Sequence, residues 1–225
     1  LFSVSFYILL AFASLPAPTA KAVEACEKFF STEQIASVIS RLPRSLILNT
    51  SNPDKQKDFI NIFNRFAKTV TFRNTDLAEI KASPLEVIAH KASHFRNPNE
   101  LVLVEDTSLD VEGVDIGINV RWLQASLKNH IGRRAIWRAL MGVRVQNHVL
   151  VFEGVVSGRI GAASGEGFGF DPLFIPDGST LTLAEYKPHQ YNARAIAVEQ
   201  FTLHKPLAVV PVIEEWQGPW QEAEH

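Results

Sequence analysis

Apolar and polar positions along this chain recur with two periods, and each change of period marks an element. Leu46-Ile47-Leu48 is a short apolar run that predicts a buried strand. Asn52 and Pro53 follow as a helix N-cap and first helical residue, and Phe59, Ile62, Phe63 and Phe66 recur at helical spacing behind them. Thr69 to Phe72 predicts a second strand. Ser83-Pro84-Leu85-Glu86 is a capping box, and Leu85, Ile88, Ala89, Ala92 and Phe95 form the buried stripe of the helix it opens. Lys91 lies off that stripe and reads as a solvated side chain. Leu101 to Val104 predicts a central strand, buried on both faces, that ends at Glu105. Val120 to Leu140 reads mostly as helix. Val143 to Val145 and His148 to Phe152 predict a small hairpin turning at Gln146-Asn147, with strand alternation continuing through Val155 and Val156 to Ile160. Gly161 to Gly169 reads as a flexible loop, Phe174-Ile175 meet a Pro176-Asp177-Gly178 turn, and Asn192 to about His204 reads as helix. Leu207 to His225 carries no assignable pattern.

Chemistry concentrates at Glu105-Asp106-Thr107-Ser108. Two adjacent carboxylates at a strand end are costly unless a cation or a proton compensates them. Mg²⁺ suits the position, since it takes oxygen ligands and bridges carboxylates to substrate phosphates. The polar loop Thr50-Ser51-Asn52-Pro53-Asp54-Lys55 lies between a strand and a helix N-terminus. Its free amides, the helix dipole and the Lys55 charge make it a candidate phosphate cradle. The bland reading of the same loop is an ordinary capped turn.

Composition narrows the classes. At 225 residues, 46% of them hydrophobic, the chain can bury a full core as one domain with two lobes. A formal charge of −2 provides no electrostatic footprint for a polynucleotide. Cys26 is the only cysteine, which excludes an internal disulfide and a cysteine zinc site. The seven histidines read as lacking metal-ligand spacing, so zinc is not expected. Phe6 to Phe12 is apolar and leads into a small-residue stretch, which resembles a secretory signal without its basic start. It is too short to span a bilayer, so stable membrane insertion is not expected. A signal and a mis-started or fused translation both remain open, with a cytoplasmic location as the working expectation. The expected organisation is a signal-like segment over 1–20, a helical extension over 21–45, the main domain over 46–205 and a tail over 206–225.

Taken in order, several segments resemble the inosine/xanthosine triphosphate pyrophosphatase family. Thr50 to Lys55 is similar to its T-x-N-x-x-K loop. Asp76-Leu77-x-Glu79, Lys91, Glu105 to Leu109, Ser157-Gly158-Arg159-Ile160, Phe168-Gly169-Phe170-Asp171-Pro172-x-Phe174 and Ala184-Glu185 follow at similar intervals. The resemblance implies an elongated, two-lobed mixed α/β fold, flanked by helices and with the substrate cleft between the lobes. It also implies a homodimer that uses Mg²⁺ to hydrolyse nucleoside triphosphates such as ITP, dITP and XTP to the monophosphate and pyrophosphate.

By position, the resemblance assigns Thr50, Ser51, Asn52, Pro53, Asp54 and Lys55 to the triphosphate. It gives Glu79 and Asp106 to Mg²⁺, and Asp106 with Glu105 to the attacking water. Thr107, Lys91 and Arg121 fall to phosphate. Phe168 is assigned to stacking on the base, with Gly169, Phe170 and Asp171 beside it and Lys187 and Arg194 on the base side. Phe168 and Phe170 divide, on this reading, into one base contact and one core residue.

Three departures from the family pattern stand out. Asn192-Ala193-Arg194 replaces Ser-His-Arg, which removes a base-reading histidine and leaves the Asn192 amide as its candidate substitute. Gly113 to Asn119 lacks the usual proline. The region before Ser157 is short, which predicts a truncated hairpin. Two other readings compete: a pyrimidine or modified-nucleotide pyrophosphatase of the related septum-inhibitor-like group, and a degenerate nucleotide-binding protein without catalysis. A haloacid-dehalogenase-type phosphatase lacks its Asp-x-Asp nucleophile.

Overall fold

The computed structural model describes Ser37 and residues 45–97, 99–114 and 126–221. The expectations for 1–20, for the helix at Lys21 to Leu42 and for Arg121 and Trp122 lie outside the described residues, as does most of Gly113 to Asn119.

The first elements form as their sequences predict. Strand β1 (Ser45–Asn49) runs into helix α1 (Pro53–Arg65), where Asn52 Oδ1 accepts from the amides of Asp54 and Lys55. Phe59, Ile62 and Phe63 are the buried face of α1. Strand β2 (Thr69–Arg73) returns parallel to β1. The Ser83–Glu86 capping box opens helix α2 (Pro84–Ser93).

Strand β3 (Val102–Val111) differs from expectation, since it runs straight through the two acids. What ends is its neighbour. The parallel pairing of β1 with β3 stops at Asn49↔Val104, while antiparallel pairing with β4 continues to Val111. Glu105 and Asp106 therefore sit mid-strand, beside the carboxyl end of β1, and the crevice beyond a parallel strand end is still where they lie.

The helix expected over Val120–Leu140 is also corrected. A 3-10 turn covers Leu127–His130, and β4 (Arg134–Val145) follows as a twelve-residue strand. Buried Ala135, Trp137 and Ala139 alternate with more exposed Ile136 and Arg138, but Ala139 to Val143 are all buried. A strand covered on both faces loses its period of two, and that half masked the alternation of the rest. Nor is the hairpin truncated: β4 pairs with β5 (His148–Ile160) from Val145↔His148 to Arg134↔Arg159. The turn falls at Gln146-Asn147, with Gln146 at φ 55°.

Strands β6 (Phe174–Pro176) and β7 (Ala208–Pro211) share the far edge of β5, one at each end, with helix α3 (Ala193–Thr202) between them in sequence. The seven-stranded mixed sheet has the order β2-β1-β3-β4-β5-β6, and β7 also pairs with β5. In one lobe, α1 and α3 pack Phe59, Phe63 and Phe201 against Leu48, Leu103, Met141 and Phe152. On the opposite face α2 packs Ile88 and Ala92 against Val104, Leu140 and Val151. A second lobe buries Trp137, Leu109, Val156, Ile160, Phe170 and Phe174. Strands β3, β4 and β5 run through both lobes.

Gly154 on β5 decides where α3 begins. A Cβ there would lie 1.9 Å from the Ala193 carbonyl oxygen and 2.7 Å from the Ala197 amide, both backbone atoms. Gly154→Ala is expected to push the start of α3 off the sheet. Overpacking of this kind costs roughly 1–3 kcal/mol or more, so a thermal melt should show a clear loss; an unchanged midpoint would contradict this packing.

Candidate active site

Successive residues of a strand point to opposite faces, and β3 uses this to build two charge clusters from adjacent acids. On the α1/α3 face, Glu105 Oε2 accepts from Lys55 Nζ at 2.6 Å, and Oε1 accepts both from Arg194 Nε at 2.9 Å and from Thr107 Oγ1. Burial alone would raise this carboxyl, but Lys55 and Arg194 hold it well below the usual carboxylate range. Glu105 is a fixed anion with its acceptor sites occupied.

On the α2 face, Lys91 Nζ donates to Asp106 at 2.7 Å and to Glu79 at 2.8 Å. The sequence expectation that Lys91 is solvated is corrected, since it is only 9% exposed. Burial opposes its charge, but the two carboxylates raise it above the ordinary lysine value. Asp106 behaves oppositely to Glu105: burial raises its carboxyl despite Lys91. Two neighbouring acids are thus driven apart, one locked as an anion and one displaced toward accepting a proton.

Two carboxylates sharing one cation, on irregular and strand backbone respectively, are hard oxygen donors of the kind Mg²⁺ takes when substrate phosphates supply the rest. Among the described residues, no group of three or more His, Cys, Asp or Glu side chains converges for a self-sufficient metal site. The reading of the histidines needs one correction. His90 and His94 do stand four apart on α2, but their rings pack edge to face at 4.6 Å and His94 Nδ1 faces the His90 carbonyl at 2.9 Å.

A third group lies toward the second lobe. Arg194, 3% exposed, also reaches Asp58 at 3.2 Å and Thr107 at 3.2 Å. Lys187 Nζ lies 2.9 Å from Asp171 and 3.8 Å from Asp58. Burial raises the Asp171 carboxyl against the pull of Lys187. Both cations lie over the indole of Trp137, with Lys187 Nζ at 4.9 Å and Arg194 Cζ at 5.5 Å from the ring centroid, an arrangement favoured by the negative face of the ring. Phe168 is half-buried with Arg194 Cζ 5.9 Å from its ring, whereas Phe170 is core, packed on Trp137 and Phe174. That separates the two phenylalanines and removes Phe170 from the surface a ligand could touch. Beside this group is a cleft of about 230 Å³ lined by Asp58, Asn61, Arg65, Lys187, His189 and Asn192.

Asn192 does not replace the missing histidine. Its Oδ1 caps α3 by accepting from the Arg194 and Ala195 amides, and its Nδ2 donates to Asp58. The Asn52 cap likewise engages the amides of Asp54 and Lys55, which the sequence offered to phosphate. Thr50 is turned inward, accepting from the Asn52 amide on Oγ1 and from Gln56 Nε2 on its carbonyl. Ser51 is exposed at the loop tip. The Gly161–Gly169 loop is pinned rather than flexible. Thr182 Oγ1 donates to the Ser164 carbonyl at 2.8 Å, and Ser164 Oγ donates to Glu185 at 2.7 Å.

The structure therefore brings Glu79, Lys91 and Asp106 together, joins Lys55, Glu105, Thr107 and Arg194, and sets Asp171, Lys187 and Phe168 beside the latter. Sequence reasoning missed Asp58 and Trp137. Asp58 was discernible from its place three residues after Lys55, on the same side of α1. Trp137 was hidden by the misread helix.

The fold is a mixed α/β sheet flanked by helices, with acids and lysines paired beside the carboxyl end of β1. The Ham1 family profile matches residues 46–204, and the chain belongs to that family. A dITP/XTP pyrophosphatase of Pyrobaculum aerophilum is 31% identical over 153 residues, covering 61% of this chain and 82% of that protein. An inosine triphosphate pyrophosphatase of Batrachochytrium dendrobatidis is 28% identical over 191 residues, covering 74% and 98%. Among solved structures, a HAM1 protein from Coxiella burnetii superposes with a TM-score of 0.57 at 21% identity, covering 71% of this chain and 97% of that one. The Staphylococcus aureus Ham1 protein gives 0.52 at 23% identity, with 71% and 96% coverage. These two likenesses concern the fold. Among the described residues no helix is long and apolar enough to cross a membrane.

Proposed function

We propose that this chain hydrolyses nucleoside triphosphates, of the deaminated purine class its relatives are named for, to the monophosphate and pyrophosphate. The observation that carries the reading is the convergence of Glu79 and Asp106 on Lys91, one residue along the strand from the Lys55–Glu105 pair. Glu79 and Asp106 would hold Mg²⁺, which when bound supplies charge neutralisation and polarisation of phosphate oxygens. Lys55 and Lys91 would meet the phosphates from their places beside these acids, Lys55 held by Glu105 and Lys91 by Asp106 and Glu79. Asp106, with its carboxyl raised by burial, accepts the proton of the attacking water. The water oxygen bonds to phosphorus as the bridging P–O bond between the α and β phosphates breaks, and pyrophosphate leaves. Glu105 is a positioning anion on this reading, holding Lys55, Thr107 and Arg194 in place. Phe168 offers its half-buried ring to the base, with Arg194, Lys187 and Asp171 beyond it. Removing deaminated nucleotides from the precursor pool is the role this specificity would serve.

Product analysis tests the reading. ITP with Mg²⁺ is expected to give inosine monophosphate and pyrophosphate in equal amounts. Diphosphate plus orthophosphate would refute α–β cleavage, and strong preference for dTTP or UTP over ITP would refute the purine assignment.

A further inference from the structure

The C-terminal segment lies outside the matched stretch 46–204, yet it is bonded to the loop that carries Glu79. After β7 the chain crosses the end of α2. The Val212 amide donates to the Asn147 carbonyl, the Ile213 amide to Ser93 Oγ at 2.8 Å, and Glu214 pairs with Arg144 at 2.8 Å. Val212 and Ile213 pack on the apolar face of α2, against the cluster of Ile88, Ala89 and Ala92. The segment then bends back on itself, with Trp216 Nε1 donating to the Pro219 carbonyl at 2.9 Å. Its last described residues meet the loop that bears Glu79. The Lys81 amide donates to the Pro219 carbonyl at 2.9 Å, Trp220 forms a bridge with Ile80, and the Gln221 amide donates to the Glu79 carbonyl at 2.8 Å. Gln221 Nε2 adds a bond to the Ile80 carbonyl at 3.1 Å, and the Trp220 ring packs edge-on against His90, one residue before Lys91.

This contact has a specific mechanical content. Residues 74–79 have no helix or strand of their own, and Ile80 is fully buried. The bonds to Pro219, Trp220 and Gln221 give that loop its only β-type pairing among the described residues. Glu79 is the most exposed member of its cluster, with a side chain 39% accessible against 13% for Asp106. Asp106 is fixed by β3 and Lys91 by α2, so Glu79 is the one whose position depends on a loop. A ligand on an unanchored loop must be ordered when the cation binds, and that ordering weakens affinity.

We infer that the segment Glu215–Gln221 is a positioning strap that holds the Glu79 carboxylate beside Asp106 and thereby sets the affinity of the site for a divalent cation. The inference rests on the proposed roles of Glu79 and Asp106, and goes beyond them in assigning that control to residues outside the family domain.

Gln221→Pro in the full chain removes the backbone donor to Glu79 and the side-chain donor to Ile80 together, while Gln221→Ala keeps the backbone donor. Mn²⁺ binding followed by electron paramagnetic resonance, without substrate, reads the site directly. Gln221→Pro is expected to weaken Mn²⁺ binding about 10-fold, with Gln221→Ala close to the parent, and to speed amide exchange at Lys81. Turnover at saturating Mg²⁺ should change by less than about twofold, since the strap touches no group that reaches the nucleotide. Unchanged Mn²⁺ affinity in a folded Gln221→Pro protein whose Lys81 amide has become exchangeable would overturn the inference. So would equal losses in both variants. If Gln221→Pro does not fold, Trp220→Ala takes its place with the same expected loss and the same refuting result. A parent that binds Mn²⁺ but releases no pyrophosphate would sink the proposed function and leave the strap intact. A parent that binds no Mn²⁺ would sink both.

Discussion

Asp106→Asn is expected to lower pyrophosphate release by about 10²–10⁴-fold, the span associated with a positioned general base. The substitution keeps the shape of the side chain and one oxygen for Lys91, so the 2.7 Å contact can persist as a hydrogen bond from the ammonium to an uncharged amide oxygen. What it removes is proton affinity, which burial has raised at this carboxyl. Nucleotide binding measured by calorimetry in the absence of Mg²⁺ should be largely retained, because Lys55 and Phe168 are untouched. Glu105→Gln is the natural contrast. Glu105 is surrounded by Lys55, Arg194 and Thr107, so its loss should act through stability and substrate affinity rather than through proton transfer. Turnover of Asp106→Asn within threefold of the parent would remove the base from the proposal.

Arg194→Ala is expected to be the most destabilising single change near the site. The guanidinium is 3% exposed and pairs with Glu105 and Asp58 at 2.9 and 3.2 Å. Removing one member of a buried pair leaves the other charge uncompensated, at a typical cost of about 3–5 kcal/mol. Lys55 remains on Glu105 and Lys187 near Asp58, which places the expected value at about 3 kcal/mol, the low end of that range. In a chain of this size that corresponds to a fall of about 6–12 °C in melting temperature. A double substitution with Glu105→Gln should lose less than the sum of the two singles, since the same interaction is removed twice. Additive losses would show that the pair is not coupled.

Much of the first lobe was legible because its signals are local. Asn52-Pro53 and the Ser83–Glu86 capping box declare helix starts within four residues, and both helices begin there. Strand β4 was not legible, because its burial depends on β3 and β5 covering it on both edges and on helices above and below. The extent of β3 was missed for a related reason. The change from apolar to acidic residues at Glu105 looks like a strand end, but the acids are accommodated by Lys55, Lys91 and Arg194 from three different helices. No sequence window contains those partners. The same limit applies to Trp137, whose importance lies in the two cations above it. The Asn192 substitution was read as a possible base contact, but capping geometry takes the amide first.

Because Glu105 and Asp106 are neighbours on a single strand, their division of labour is written into parity. A one-residue insertion or deletion anywhere between Val102 and Asp106 would turn every following side chain to the other face. The acid meant for Lys91 would then meet Arg194, and the other would meet Lys91, although neither acid had itself been replaced. Length is therefore under stricter constraint here than residue identity, and a conservative exchange of the two acids tolerates less than their chemical similarity suggests.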